Sequence, residues 1–207
     1  MQILIRADSI EIDGYVNSVE RKSRPLMSRM GKFVERICKG AFKRSLERDD
    51  DVQLLLNHDP SRVLASTKDG SLELTEDNIG LRARATITDP EVIKKARNGD
   101  LTGWSFGFMD RDVEQKRDED GMPLRNVREL DLKEVSLLDR TKTPAYDGTL
   151  IAVRADETEM FFGDRFSDDI NIREVEPEKE EPKQQENPVD KQINYDEFDK
   201  LIADMKK

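Results

Sequence analysis

The 207-residue chain contains one cysteine (Cys38), one histidine (His58) and one tryptophan (Trp104). A single cysteine excludes an internal disulfide and fits a reducing compartment. A single histidine excludes a His-rich metal site, so any imidazole acid–base chemistry near neutral pH must use His58. No apolar run approaches membrane-spanning length, and no membrane association is expected. The opening residues, Met1 to Arg6, lack the basic flank and apolar stretch of a signal peptide, which points to a cytoplasm. The net charge of −10 is the wrong sign for a nucleic-acid footprint. Basic residues do cluster between Arg21 and Arg44, but no stacking aromatics are interleaved there. The acidic run Asp118-Glu119-Asp120-Gly121 lacks the ligand spacing of a calcium loop. No cofactor or metal is implied.

What is present is charge. Charged residues make up 39% of the chain and hydrophobic ones 35%, more polar than a compact globule requires. The imbalance is concentrated in the C-terminal third. Residues 1–155 read as one domain. Residues 156–190 are acidic, carry Pro177, Pro182 and Pro188, and are expected to be a disordered tail. Met160, Phe161, Phe162 and Phe166 form an isolated apolar patch within it. In residues 191–207, Tyr195, Phe198, Leu201 and Ile202 recur at helical spacing and predict a short amphipathic helix.

Within the domain, short apolar runs recur between turn signals. Ile3, Ile5, Ile10, Ile12, Tyr15 and Val16 predict a first strand or hairpin, with Gly14 at a turn or bulge. Residues 18–31, basic and serine-rich, read as a mobile loop. Ala41, Phe42, Ser45 and Leu46 have helical spacing. Strands are expected at 52–56, 63–65, 72–74 and 81–87, the spacing of a β-barrel or sandwich. Asp89-Pro90-Glu91 opens a helix, with Asp89 as cap and Pro90 at the first helical position. Asn98-Gly99 closes it.

Three polar residues stand in or beside apolar strands. His58 follows Val52 to Leu56, where Asp59-Pro60 is expected to break the strand. Ser105 sits between aromatics in Gly103-Trp104-Ser105-Phe106-Gly107-Phe108, a strand leading to a long hairpin tip at 110–126. Glu134 interrupts Leu132-Lys133-Glu134-Val135-Ser136. Its parity matches the inward Leu130 and Leu132, with Val135 and Leu137 on the opposite parity. A serine hydroxyl needs a base to take its proton, and the base needs a third group to orient it and stabilise its charge. A buried carboxylate, in turn, needs a partner. Residue types leave other readings open: a core serine, a surface histidine, a solvated glutamate, or a thiol peptidase pairing Cys38 with His58.

The ordered set of motifs resembles the tailed-phage prohead (capsid maturation) protease family, which shares its fold with the herpesvirus assemblins. The set runs Lys39-Gly40-Ala41-Phe42, Leu56-Asn57-His58-Asp59, Asn78-Ile79-Gly80-Leu81 and Gly103 to Phe108. It continues with Leu132 to Leu137 and Thr143-Pro144-Ala145-Tyr146, and spans about residues 8–155. The resemblance implies a mainly β fold with helices (α+β): a closed β-barrel wrapped by a few helices. It implies a serine endopeptidase with Ser105 as nucleophile and His58 as general base. Glu134 takes the orienting role, with Asp139 and Asp59 as alternatives, because this chain has no second histidine. An oxyanion donor is expected from a backbone N–H near Ser105 or from the 140s. The implied substrates are a scaffolding protein or the scaffold segment of the major capsid protein, and the protease itself. The place implied is the assembling procapsid in the host cytoplasm, with dimerisation as an option. The rival reading is a non-catalytic assembly protein built on the same barrel.

Overall fold

The computed structural model describes residues 1–28, 31–49, 51–141, 153–155, 158–166 and 170–175, without the side chains of 27, 28 and 153–166. The expected helix at 191–207 and the motif at 143–146 lie outside these residues, as do residues 142–149, from which an oxyanion donor is expected. The elements are β1 Gln2–Ile5, β2 Ile10–Ser18, β3 Leu26–Ser28, β4 Gly31–Ile37 and α1 Ala41–Leu46. β5 Gln53–Leu56, β6 Asp59–Ser66, β7 Leu72–Glu76, β8 Gly80–Ile87 and α2 Pro90–Arg97 follow. The remaining strands are β9 Leu101–Arg117, β10 Pro123–Asp139, β11 Val153–Ala155, β12 Thr158–Phe166 and β13 Asn171–Glu174.

Local chemistry explains most of these elements. The α2 start is the expected one: the Asp89 carboxylate accepts from the Glu91 and Val92 amides at 2.9 and 3.0 Å, satisfying orphan helix donors. On β8, every second residue is buried (Leu81, Ala83, Ala85, Ile87), the pattern of a strand with one wet face. β9 and β10 pair antiparallel from Leu101↔Asp139 to Arg117↔Pro123, so the expected hairpin tip shrinks to residues 118–122. The loop expected at 18–31 contains β3, paired with β4.

The strands form two sheets. One has the order β13-β1-β2-β8-β7. The other runs β11-β12-β9-β10-β4-β3, with β5 added to β10 and β6 to β5. Both contribute to one apolar core, which includes Ile10 and Ile12 from the first and Trp104, Phe106, Phe108 and Val135 from the second. The closed barrel is corrected by this pairing. Closure requires the end strands of a sheet to bond each other, and among the described residues the end strands stay unjoined: β13 and β7 in the first sheet, and β11, β3 and β6 in the second, which branches at β10. The spacing of short apolar runs reports strands and turns, not whether the last strand meets the first.

The expectation of disorder from residue 156 is corrected in part. β12 pairs along β9 from Met160↔Met109 to Phe166↔Gly103, and β13 lies parallel to β1. The patch at 160–166 thus belongs to a strand flanking Ser105, so truncation at residue 156 would remove a neighbour of the candidate site.

Two packing features lead to stability predictions. At Gly80, a Cβ would lie 1.9 Å from the Asn17 backbone oxygen, and backbone cannot yield as a flexible side chain can. Gly80→Ala is expected to destabilise by about 3 kcal/mol or more, measured as a shift in denaturant midpoint. At Glu35, buried on β4, Oε2 lies 3.5 Å from Arg125 Nη1, and Arg125 also holds Asp110. Burial pushes the Glu35 carboxyl up to about 7, with Arg125 opposing and Asp110 reinforcing the rise. A carboxyl raised on folding favours the protonated native state, so its stabilising contribution is present at low pH and declines between about 4.5 and about 7. Glu35→Gln is therefore expected to gain on the wild type as pH rises through that window. The gain should level off above it at roughly 3 kcal/mol. Thermal melts at pH 4.5 and 8 check this.

Candidate active site

The site is built on one end of the β9–β10–β5 ribbon. Leu56 pairs with Asp59, leaving Asn57 and His58 as a two-residue hairpin turn between β5 and β6. Both have left-handed backbones, with φ of 55° and 61°. This is the requirement of a type I′ hairpin. Asn tolerates the region; a histidine there is unusual and strained, a condition that recurs at functional sites. Asp59-Pro60 therefore opens a strand and does not end one. Proline is tolerated because β6 is an edge strand and Pro60 is near its start.

Several bonds hold the turn. Asn57 N–H donates to Leu137 O at 3.0 Å, and Asn57 Oδ1 accepts from the Asp139 N–H at 3.0 Å. The His58 N–H donates to Ser136 Oγ at 3.0 Å. Arg62 on β6 reaches Asp89 and Glu91 at the start of α2, tying the hairpin to that helix.

The ring of His58 meets a carboxylate. His58 Nδ1 lies 2.7 Å from Glu134 Oε1, with only 15% and 8% of the two side chains exposed. A carboxylate can only accept here, so Nδ1 carries the proton and Nε2 is the basic nitrogen. The second oxygen, Oε2, accepts from Ser136 Oγ at 2.6 Å. At low exposure such charge-assisted bonds are strong and directional.

A bulge aims Glu134 into this position. Leu132 opposes Phe108 and Glu134 opposes Gly107, so Lys133 is the extra residue. The bulge reverses parity. Leu130 and Leu132 before it and Val135 and Leu137 after it all join the core, while Glu134 and Ser136 take the other face. The expected parity of Glu134 with Leu130 and Leu132 is thus corrected. Gly107 opposite Glu134 presents no side chain, which leaves room beside the carboxylate.

Ser105 is fully buried and in register with Ser136 on β10 and Asp164 on β12. Residues directly opposite in a sheet share a face, with Cβ atoms typically about 4.5–5.5 Å apart. The Ser105 side chain therefore lies on the same face as Ser136 and Glu134. On that face of β9 its neighbours along the strand are Gly103 and Gly107, so it is the only side chain there from 103 to 107.

The alternative carboxylates are engaged by other groups. Asp139 is held by Lys95 Nζ at 2.9 Å and by the Thr141 N–H at 2.9 Å. Burial works against its ionisation, but Thr141, Lys95 and Asn57 outweigh it and hold the carboxyl well below the usual range. Asp59 accepts from Ser61 N–H and Oγ at 2.9 and 2.6 Å. Cys38 hydrogen-bonds at Val127, ten residues along β10 from the Leu137 contact of Asn57 and roughly 30 Å by strand length. Burial, with Glu20 nearby, pushes its thiol up, away from an activated thiolate. Among the described residues, a concavity of about 530 Å³ is lined by β1, β2, Arg84, Asn171 and Arg173. It lies on the other sheet and holds neither Ser105 nor His58, so the hydrogen-bonded cluster is the better guide to chemistry.

Ser136 was not foreseen from the sequence, where it reads as one more polar residue in an apolar run. Its signal was its position two residues after Glu134, on the same side of a strand.

A base oriented by a carboxylate, near a buried serine on one strand face, is the outline of a serine hydrolase. The chain belongs to the caudovirus prohead serine protease family, whose sequence model matches residues 2–162. Membership makes it a serine peptidase of phage prohead maturation. The match is to the phage family and does not reach the herpesvirus assemblins. No curated protein and no solved structure matches the chain.

Proposed function

We propose that the protein is the endopeptidase that cleaves scaffold during prohead maturation, with Ser105 as nucleophile, His58 as base and Glu134 as the orienting acid. The observation that carries the reading is the buried 2.7 Å contact between His58 Nδ1 and Glu134 Oε1 beside the strand face that presents Ser105. In the first half-reaction, Ser105 Oγ attacks the scissile carbonyl while His58 Nε2 takes its proton. The imidazolium is stabilised by Glu134 and then protonates the leaving amine as the C–N bond breaks, leaving an acyl-serine. A water then enters. His58 takes its proton, the hydroxyl attacks the ester, and the proton returns to Ser105 Oγ as the acid departs. Low exposure around the pair strengthens the electrostatic part of this work.

Membership of the prohead protease family supports a substrate among capsid and scaffold proteins and a site of action inside the assembling shell. The substrates of this reading are the scaffolding protein or the scaffold segment of the capsid protein, and the chain itself. The test is co-expression with those proteins, comparing wild type and Ser105→Ala by intact-mass spectrometry. Wild type should shorten its partners and itself, and Ser105→Ala should leave every chain full length. Identical masses in both would sink the reading and leave a non-catalytic assembly module.

A further inference from the structure

We infer that Ser136 is a positioning residue of the catalytic apparatus, a group whose hydroxyl joins the backbone of the base to the carboxylate of its acid on the strand pair carrying the nucleophile. The inference rests on the assignment of Ser105, His58 and Glu134 above. Ser136 is fully buried. Its hydroxyl makes two bonds that serve different partners. It accepts from the His58 backbone N–H at 3.0 Å, fixing the strained left-handed turn. It donates to Glu134 Oε2 at 2.6 Å, fixing the carboxylate whose other oxygen holds the imidazole. It stands directly across the ladder from Ser105 and from Leu55 on β5, so one residue is in register with both the nucleophile strand and the strand leading into the base. A hydroxyl is needed because only a group that both donates and accepts can serve an N–H and a carboxylate at once.

Two consequences separate this role from ordinary packing. Without the hydroxyl, Glu134 keeps its charge but loses a donor that shared it. The carboxylate then favours the imidazolium more strongly, and the pH at which His58 becomes a competent base moves upward. The His58 N–H also loses the Ser136 acceptor, so the ring is held less firmly. Losing hydrogen bonds to a charged group of this kind corresponds to about a ten- to a hundredfold loss of rate.

The test is the rate of Ser105 labelling by a fluorophosphonate probe across pH 5 to 10 in wild type, Ser136→Ala, Ser136→Cys and Ser136→Thr, all on the full chain. The expected result is slower labelling in Ser136→Ala with a pH midpoint displaced to higher pH. Ser136→Thr, which keeps the hydroxyl, should restore the wild-type midpoint. Ser136→Cys, close in shape but a weaker donor, should fall between and covers the case in which the alanine variant does not fold. A Ser136→Ala or Ser136→Cys protein that labels with the wild-type rate and midpoint overturns the inference, as does a lowered rate with an unmoved midpoint in every variant. If wild type itself labels at Ser105 and His58→Ala does not, the triad stands whatever Ser136 does. If wild type does not label, the triad and the inference fall together.

Discussion

Ser105→Ala and His58→Ala are each expected to reduce peptide cleavage by a factor on the order of 10⁶, and the double variant is expected to be no worse than either single one. The reason is that, in the proposed mechanism, the two groups act as a unit. A serine hydroxyl without its base is a poor nucleophile, and a base without its serine has no proton to take. The residual rate then comes from substrate binding and oxyanion contacts alone. Both variants should fold. Ser105 adds little apolar area to the core, and His58 contributes its turn through its backbone, whose N–H remains available to Ser136. Scaffold cleavage followed by mass spectrometry, with circular dichroism as the folding control, checks the pair. Multiplicative losses in the double variant would mean that the two residues do not share a step.

Glu134→Gln is expected to lower turnover about 10⁴-fold while leaving the Michaelis constant nearly unchanged. The substitution is close to isosteric, so the bulge at Lys133 and the bond from Ser136 can persist. What changes is the proton. A carboxylate compels Nδ1 to carry hydrogen and leaves Nε2 basic; an amide can instead donate to Nδ1 and stabilise the opposite tautomer. It also cannot neutralise the imidazolium that forms as Ser105 attacks. Steady-state kinetics on a purified scaffold substrate separate this from a binding defect. Asp139→Asn gives the contrast: its carboxylate is engaged by Lys95 and Thr141. It therefore falls on the architecture around α2 and the end of β10 and not on the proton chemistry.

The sequence showed the strands and the chemical candidates better than it showed their arrangement. Period-two alternation exposes β8, and Asp89-Pro90 exposes the start of α2, because both are local signals. Whether sheets close is decided by contacts far apart in sequence, and the unjoined sheet ends among the described residues could not be read from turn spacing. The bulge at Lys133 is likewise invisible to a parity count, yet it puts Glu134 on the face of Ser105. The turn at Asn57-His58 was masked by Asp59-Pro60, which looks like a strand breaker and here begins an edge strand. β12 was hidden by the acidic composition around it, although its apolar residues 160–162 and 166 run along β9. Ser136 carried no chemical signature until its two hydrogen bonds were seen.

The assignment of Ser105 as nucleophile is tested by intact-mass and peptide-mapping spectrometry of the folded protein after reaction with a fluorophosphonate. One adduct is expected, on Ser105, that is absent in Ser105→Ala and His58→Ala and strongly slowed in Glu134→Gln. Folded wild type without an adduct, or with one on any other residue, would contradict it.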